Sequence, residues 1–273
     1  MHGNFKISVV MPAYNEEKSI FQAVRDFLSI PEVDEVIVVD NNSKDETKNL
    51  ATQAGAHIIT QPKQGYGHAC KTALMSATGD LVFIVEPDGT FRARDIYKFL
   101  PYADEFDAVM GTRTSKSCIW RGANMGLFLR YGNTAVAKLL EYLHNGPCCT
   151  DVGCTFKMIR RSVLHQIEPY LTVGRSHFSA QLMIVLVRTG MRCVEIPVHY
   201  RKRMGMSKIT GSFWNAFKLG CKMIFMILGY RFWRFPQLQS SISQDMLAEI
   251  GERDNWRNDD HMHGRKDLKP LKY

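Results

Sequence analysis

The sequence predicts an α/β fold, a mostly parallel β-sheet covered by helices on both faces. Three observations predict it. Short apolar, β-rich runs alternate with stretches of helical periodicity through the first half of the chain. Polar clusters fall just after those runs, where open α/β sheets hold their ligands. Apolar residues make up 45% of 273, enough to bury a sizeable core.

Ile7-Ser8-Val9-Val10-Met11 reads as a buried strand, and Pro12-Ala13-Tyr14-Asn15 as the turn after it. Residues 16–29 place Ile20, Val24, Phe27 and Leu28 on one helical face. Val36 to Val39 is a second strand ending at Asp40, and residues 45–54 a second helix. Ile58-Ile59 marks a short third strand, residues 65–77 a third helix, and Leu81 to Val85 a fourth strand ending at Glu86. Residues 95–103 read as a helix and Ala108 to Met110 as a fifth strand. After Gly111-Thr112-Arg113 the pattern changes. Residues 124–143 form a longer helix, broken by Gly146-Pro147. Strands at 155–159 and 193–196 bracket a helix at 179–189. Beyond Gln237 the chain is polar, with seven acids and six bases, and reads as a mobile tail or loosely attached helix.

The formal net charge of +8 is unevenly spread. No acid occurs between Glu195 and Asp245, whereas eight bases do. A nucleic-acid binder would use that basic stretch with its aromatics, but long apolar segments between the charges argue against one. Seven cysteines form an odd set without disulfide-framework spacing, which suits buried thiols in a reducing cytosol. Cys148, Cys149 and Cys154 cluster, yet no CxxC pair or matching histidine set accompanies them, so zinc is not expected. Neither a signal peptide nor an apolar run long enough to span a membrane is visible.

The chemical centre is Glu86-Pro87-Asp88. Two carboxylates separated by one residue at the mouth of a sheet can hold a hard divalent cation through oxygen. Taken alone, such a triplet is more often an ordinary acidic loop after a strand. Gln64-Gly65-Tyr66-Gly67-His68-Ala69 either points backbone N–H groups at an anion or is a tight turn into a helix. No GxGxxG follows the first strand, which disfavours a dinucleotide-binding dehydrogenase. A nucleotidyltransferase would carry glycine and basic residues in its first loop, and Met11 to Asn15 carries neither.

Val9-Val10-Met11-Pro12-Ala13-Tyr14-Asn15-Glu16-Glu17, Val39-Asp40-Asn41-Asn42-Ser43-Lys44-Asp45 and Gly79-Asp80 leading into Glu86-Pro87-Asp88 together resemble glycosyltransferase family 2. The resemblance covers roughly residues 5–230 and implies the A-type glycosyltransferase fold, Rossmann-like in its sheet. It implies that Pro12, Ala13, Tyr14, Glu16, Asp40 and Gly65 face the nucleotide-sugar donor. It also implies that Glu86 and Asp88 hold Mg2+ or Mn2+ at the donor's diphosphate, with Asp88 a donor contact as well. The family's usual first acid is aspartate, so glutamate followed by proline departs from the pattern.

The second half narrows the resemblance. Gly111-Thr112-Arg113, Arg121, the run from Thr150-Asp151 to Phe156-Lys157, Glu195-Ile196-Pro197-Val198 and Arg203-Met204-Gly205-Met206-Ser207-Lys208 follow in order. Together they look like the polyprenyl-phosphate sugar transferases, the group that includes dolichyl-phosphate mannose synthase. That implies phosphate contacts from Arg121, Arg203, Ser207 and Lys208, with Arg203 and Lys208 serving catalysis. Two phosphates brought together need cationic donors in any case. A solvated basic loop is the other reading of that segment.

Asp151 is the best-placed general base for a hydroxyl acceptor. A phosphate acceptor, already ionised, would leave it to position the acceptor or a basic side chain. Residues 176–181 contain no acid, which favours the phosphate, and His177 reads as structural or as a base. Phe213, Phe217, Cys221, Ile224 and Leu228 share one helical face, with Asn215, Lys218 and Lys222 opposite. Arg231 and Arg234 follow among Tyr230, Phe232, Trp233 and Phe235, as an in-plane membrane anchor would have them. A core helix or the face of a homo-oligomer is the alternative.

The expected organisation is a catalytic domain over 1–210, an interface helix over 211–236 and a tail over 237–273. The expected activity is transfer, with inversion, from a UDP- or GDP-sugar to a polyprenyl phosphate at the cytoplasmic membrane face. A saccharide hydroxyl in cell-envelope polysaccharide synthesis is the alternative acceptor.

Overall fold

A computed structural model of the chain describes residues 5–204, 213–240 and 242. Its elements are β1 (Ile7–Ala13), α1 (Ile20–Leu28), β2 (Glu35–Asp40), α2 (Thr47–Gln53), β3 (His57–Thr60), α3 (Tyr66–Ser76), β4 (Leu81–Ile84), α4 (Ile96–Phe99), β5 (Ala108–Thr112), α5 (Leu127–His144), β6 (Lys157–Arg160), α6 (Arg161–Ile167), α7 (Phe178–Arg188), β7 (Cys193–Pro197) and α8 (Phe213–Phe232). The strands form one sheet in the order β3-β2-β1-β4-β6-β5-β7. All neighbours pair in parallel except β6, which runs against both β4 and β5.

The strand order explains where a ligand can sit. From β1 the chain builds outward through β2 and β3, then returns to lay β4 on the other side of β1. The strand order reverses between β1 and β4, opening a crevice at the carboxyl ends of those two strands. Because β6 is antiparallel, its start, Lys157, pairs with Ile84 at the end of β4. The segment 150–156 is thereby delivered to the same edge as Glu86.

One core packs α3, α5, α6, α7 and α8 against one face of the sheet; the other packs α1, α4 and their turns against the opposite face. Phe156 anchors the second. It is fully buried and lies 4.8 Å from Phe99 and 5.4 Å from Phe91, ring centre to ring centre. This fixes the loop that carries Asp151 and Thr155.

Three local differences from the sequence reading have physical causes. The helix expected over 95–103 is one α-turn, α4, between 3-10 turns at Ala93–Asp95 and Leu100–Tyr102. Pro101 has no N–H to continue the helical bonding. The first helix begins at Ile20 rather than 16, because Asn15 takes a left-handed φ of 54° and the chain turns there. Helix α6 follows β6 without a loop, and its seven residues are too few to display a period.

The chain divides into a unit Met1–Ser241 and a unit Ile242–Tyr273. Helix α8 belongs to the first, packed on α5 and α7. Its buried residues are Met223 and Ile227, while Phe217 and Leu228, on the apolar face read from the sequence, are 47% and 41% exposed. Gln237 and Leu238 bond to Arg188 and Thr189 at the end of α7. The tail beyond 242 lies outside the described residues.

Candidate active site

The turns after β1 and β2 are laced together by short polar side chains. Asn15 N–H donates to Ser43 Oγ (3.0 Å), Lys44 N–H to Asn15 Oδ1 (2.8 Å) and Glu16 N–H to Thr47 Oγ1 (2.8 Å). Buried Asn41 clamps the loop after β3, giving its amide to Gln61 O and Lys63 O, each at 2.9 Å. Between these turns lies a cavity of about 250 Å³ lined by Pro12, Ala13, Tyr14, Glu16, Asn41, Gln64 and Tyr66, closed by Glu86, Pro87 and Arg203. Four of the expected donor residues therefore line one cavity.

Asp40 and Gly65 do not line it. Asp40 is buried and its carboxylate accepts Ser43 N–H at 3.3 Å. The Gly65 N–H goes to Asn41 Oδ1 (2.8 Å), and the Gly67 N–H to Gly174 O (3.1 Å). Neither is available to an anion, which corrects the anion-cradle reading of that loop. The glycines serve close packing instead. Gly65 has a φ of 149°, and a Cβ on Gly67 would stand 2.1 Å from Val173 O.

The acid pair sits at the crevice, and its inner oxygens are held by structural donors. Glu86 Oε1 accepts from the Tyr66 hydroxyl (2.9 Å) and Thr155 Oγ1 (3.0 Å). Asp88 Oδ1 accepts from Thr90 N–H (3.0 Å) and Thr90 Oγ1 (2.5 Å). The outer oxygens meet one cation. Arg203 Nη1 lies 3.0 Å from Asp88 Oδ2 and 3.9 Å from Glu86 Oε2, and Nη2 pairs with Glu16 Oε1. Burial, then the Glu86 charge beside it, raises Asp88 to about 7 in spite of Arg203. The outer oxygens of the two carboxylates, which share a single guanidinium, are hard oxygen donors of the kind that suits a divalent cation. No third His, Cys, Asp or Glu joins the pair as a ligand cluster among the described residues.

Tyr66 and Thr155 escaped the sequence reading because they reach Glu86 across 20 and 69 residues. Burial, reinforced by Cys70 and Glu86, pushes the Tyr66 hydroxyl well above its ordinary range, so it stays a donor. Tyr66→Phe should lower Mn2+ affinity about tenfold while the melting temperature stays near wild type, since outer-sphere partners tune ligand affinity by about 10–100-fold. A Mn2+ titration with an unchanged midpoint would show that Glu86 does not need this hydroxyl.

Asp151 is fully buried and gripped by Arg113. Its Oδ2 accepts Arg113 Nε (2.8 Å) and N–H (3.1 Å), and its Oδ1 accepts Arg113 Nη2 (2.9 Å) and Gly153 N–H (3.0 Å). Burial alone would raise this carboxyl, yet the Arg113 charge and hydrogen bonds hold it below the usual carboxylate range. Each oxygen already accepts two bonds, leaving no lone pair for a substrate proton. Glu195 cages the same loop, accepting Thr150 N–H and Asp151 N–H. His177 lines neither cavity, and burial, with Lys222 and Arg175 nearby, lowers it toward the neutral form. Arg121 is exposed on the loop before α5 and makes no ion pair among the described residues. Ser207 and Lys208 lie outside the described residues.

A second cavity, about 360 Å³, adjoins the first through Tyr66, Glu86 and Arg203, which line both. Arg113 and Tyr200 line its polar end; Met125, Phe128, Leu129 and Val136 on the α5 side and Phe217, Met223 and Ile224 of α8 line its apolar end.

The sequence profile described as Glycosyl transferase family 2 matches residues 8–168, more than half of the chain, including Glu86 and Asp88. The chain belongs to glycosyltransferase family 2. It is 32% identical over 204 residues to the dolichyl-phosphate hexose transferase of Haloferax volcanii, covering 74% of this chain and 86% of that one. It is 28% identical over 219 residues to the undecaprenyl-phosphate 4-deoxy-4-formamido-L-arabinose transferase of an Enterobacter species, covering 75% and 63%. Among solved structures it resembles glucosyl-3-phosphoglycerate synthase from Mycobacterium tuberculosis in complex with Mn2+, UDP and glucosyl-3-phosphoglycerate. The TM-score is 0.62 at 19% identity, over 83% of this chain and 80% of that one. This family 2 chain thus has the A-type glycosyltransferase fold, and its sequence sits among polyprenyl-phosphate sugar transferases.

Proposed function

We propose that this family 2 enzyme transfers a sugar, with inversion, from a UDP- or GDP-sugar to a polyprenyl phosphate at the cytoplasmic face of a membrane. The observation that carries the reading is the pair of joined cavities. One sets Glu16, Asn41 and Gln64 among the apolar walls of Pro12, Ala13, Tyr14 and Tyr66, a mixture of hydrogen-bonding groups and rings that suits a nucleotide; the other runs from Glu86, Arg113 and Arg203 to the apolar sides of α5 and α8. A ligand charged at one end and hydrocarbon beyond fits the second. The names of the Haloferax and Enterobacter relatives support the same acceptor class.

Glu86 and Asp88 would hold Mg2+ or Mn2+, and such a cation neutralises charge on a departing diphosphate. The chain's own residues do the rest. Tyr66, Thr155 and Thr90 fix the two carboxylates, and Arg203 offers a guanidinium fork to phosphate oxygens. Arg113, oriented by Asp151, directs a second guanidinium into the cavity that receives the acceptor. We assign Ser207 and Lys208 to the same phosphates on the strength of the family resemblance. A saccharide hydroxyl would need a base, and the candidate for that role is occupied by Arg113.

No helix among the described residues is long and apolar enough to cross a membrane. Membrane contact is assigned instead to the side of α8 that exposes Trp214, Phe225, Phe232 and the following Trp233, with Lys218, Lys222, Arg231 and Arg234 nearby.

The test is a donor panel with purified protein, Mg2+ or Mn2+, and a polyprenyl phosphate. Lipid-dependent release of UDP or GDP, together with a product labile to mild acid, is expected. Asp88→Ala should lower that turnover by at least about 10²-fold. Release that ignores the lipid, or a product stable to mild acid, would remove the phosphate acceptor.

A further inference from the structure

On the face of the sheet opposite α5 and α8, a cleft of about 510 Å³ opens between the end of α1 and the turn leading into α4. Asp26, Ser29 and Pro31 form one wall; Arg92, Arg94 and Arg201 are the charged groups of the other. It shares no lining residue with the two cavities at Glu86. Three guanidiniums face one carboxylate there, and none of the three makes an ion pair among the described residues.

The acids nearby are engaged with other partners. Asp26 Oδ1 accepts from Gln22 Nε2 (2.6 Å) and Glu32 Oε2 from the Tyr97 hydroxyl (2.7 Å). Asp95 Oδ1 is taken by Lys98 (3.2 Å) and His199 Nδ1 (2.8 Å). Arg92 and Arg201 are half-buried, and Arg201 is held against a ring. Its guanidinium carbon lies 4.8 Å from the centre of the Trp120 ring, and its Nε is buried with no hydrogen-bond partner. A buried donor left unpaired costs free energy, as does holding like charges together. An oxyanion in the cleft would relieve the crowding of like charge, because a guanidinium fork matches phosphate oxygens.

We propose that the Arg92–Arg94–Arg201 cleft is a second anion site, separate from the donor and acceptor cavities, for a ligand bearing a phosphate-type oxyanion. The ligand is a free phosphorylated small molecule or the headgroup of an anionic lipid. The site has a route to the acid pair. Arg201 N–H donates to Thr90 O (2.8 Å), and Thr90 in turn holds Asp88. Occupancy therefore bears on the backbone that carries Arg203.

The experiment titrates the full chain with inorganic phosphate by calorimetry at low salt, comparing wild type, Arg92→Ala/Arg94→Ala and Arg203→Ala. The double variant should lose at least about tenfold in phosphate affinity, with melting temperature and lipid-free donor hydrolysis unchanged. Arg203→Ala should retain the phosphate titration. Pelleting with phosphatidylglycerol and phosphatidylcholine vesicles separates the two sources. Weaker pelleting of the double variant on the anionic vesicles alone assigns a headgroup; equal pelleting with lost phosphate affinity assigns a free ligand. Equal phosphate affinity and equal pelleting in wild type and double variant would overturn the proposal. So would loss of the phosphate titration in Arg203→Ala, which would put the ion at the acid pair.

Discussion

Arg203→Met is expected to tighten Mn2+ binding to the donor-free protein about tenfold while cutting turnover about 10²–10³-fold. The opposite signs come from one geometry. The Arg203 guanidinium already occupies the outer oxygens of Asp88 and Glu86 and pairs with Glu16. A divalent cation must compete for those same oxygens, so the side chain acts as an internal competitor until phosphate draws it away. Removing it leaves two neighbouring carboxylates with no counter-charge, which favours any cation that reaches them. Methionine keeps the length and apolar packing of the stem but cannot meet a phosphate, and turnover falls for that reason. Calorimetric Mn2+ titrations of both proteins, with and without UDP or GDP, test the first sign. If Arg203→Met binds Mn2+ more weakly than wild type, the guanidinium is not competing.

The same site sets a pH dependence. Burial and Glu86 raise Asp88 to about 7, so the ionised form needed for metal binding is disfavoured in the folded protein. Mn2+ affinity should climb as pH rises through about 7 and level off above it. Stability has the opposite sign. A carboxyl raised in the folded state binds more protons than it does unfolded. Asp88's contribution to the stability of the metal-free protein is therefore greatest below the ordinary carboxylate range and is lost as pH rises from there through about 7. Thermal melts between pH 5 and 8, with and without Mn2+, should diverge in this direction.

The crevice was legible in the sequence because its chemistry is local. Pro12 to Glu16 and Glu86 to Asp88 each follow an apolar strand run directly, and a parallel sheet brings strand ends together whatever the loops do. What stayed hidden depends on distant pairing. Nothing near Gly67 announces Gly174, and nothing near Glu86 announces Thr155. Helix α8 was read with Phe217 and Leu228 on its apolar face, and the side that α5 and α7 cover, at Met223 and Ile227, went unread because the helix is apolar on several sides. Arg113 lay inside a noted motif without a role, because the role depends on a carboxylate 38 residues away.

That pairing carries the second large prediction. Asp151→Ala should destabilise the protein by about 3–5 kcal/mol, because it leaves the Arg113 charge buried without a partner. The Arg113 side chain is 14% exposed and that of Asp151 is fully buried, so water can compensate little. Asp151→Ala/Arg113→Met should recover much of the stability, since replacing both members of a buried pair is far milder than orphaning one. It should not recover activity, because the guanidinium facing the acceptor cavity is gone. The pH signature separates this role from proton abstraction. Asp151 is held below its ordinary range, so its contribution is present above the usual carboxylate pKa and is lost as pH falls beneath it. A general base would instead leave the melting temperature alone and remove the acid limb of the kcat/KM profile. Denaturant melts of the single and double variants, set beside their pH–rate profiles, decide between the two. An Asp151→Ala protein that melts with wild type yet has lost activity would restore the carboxylate to the chemistry and leave Arg113 merely its neighbour.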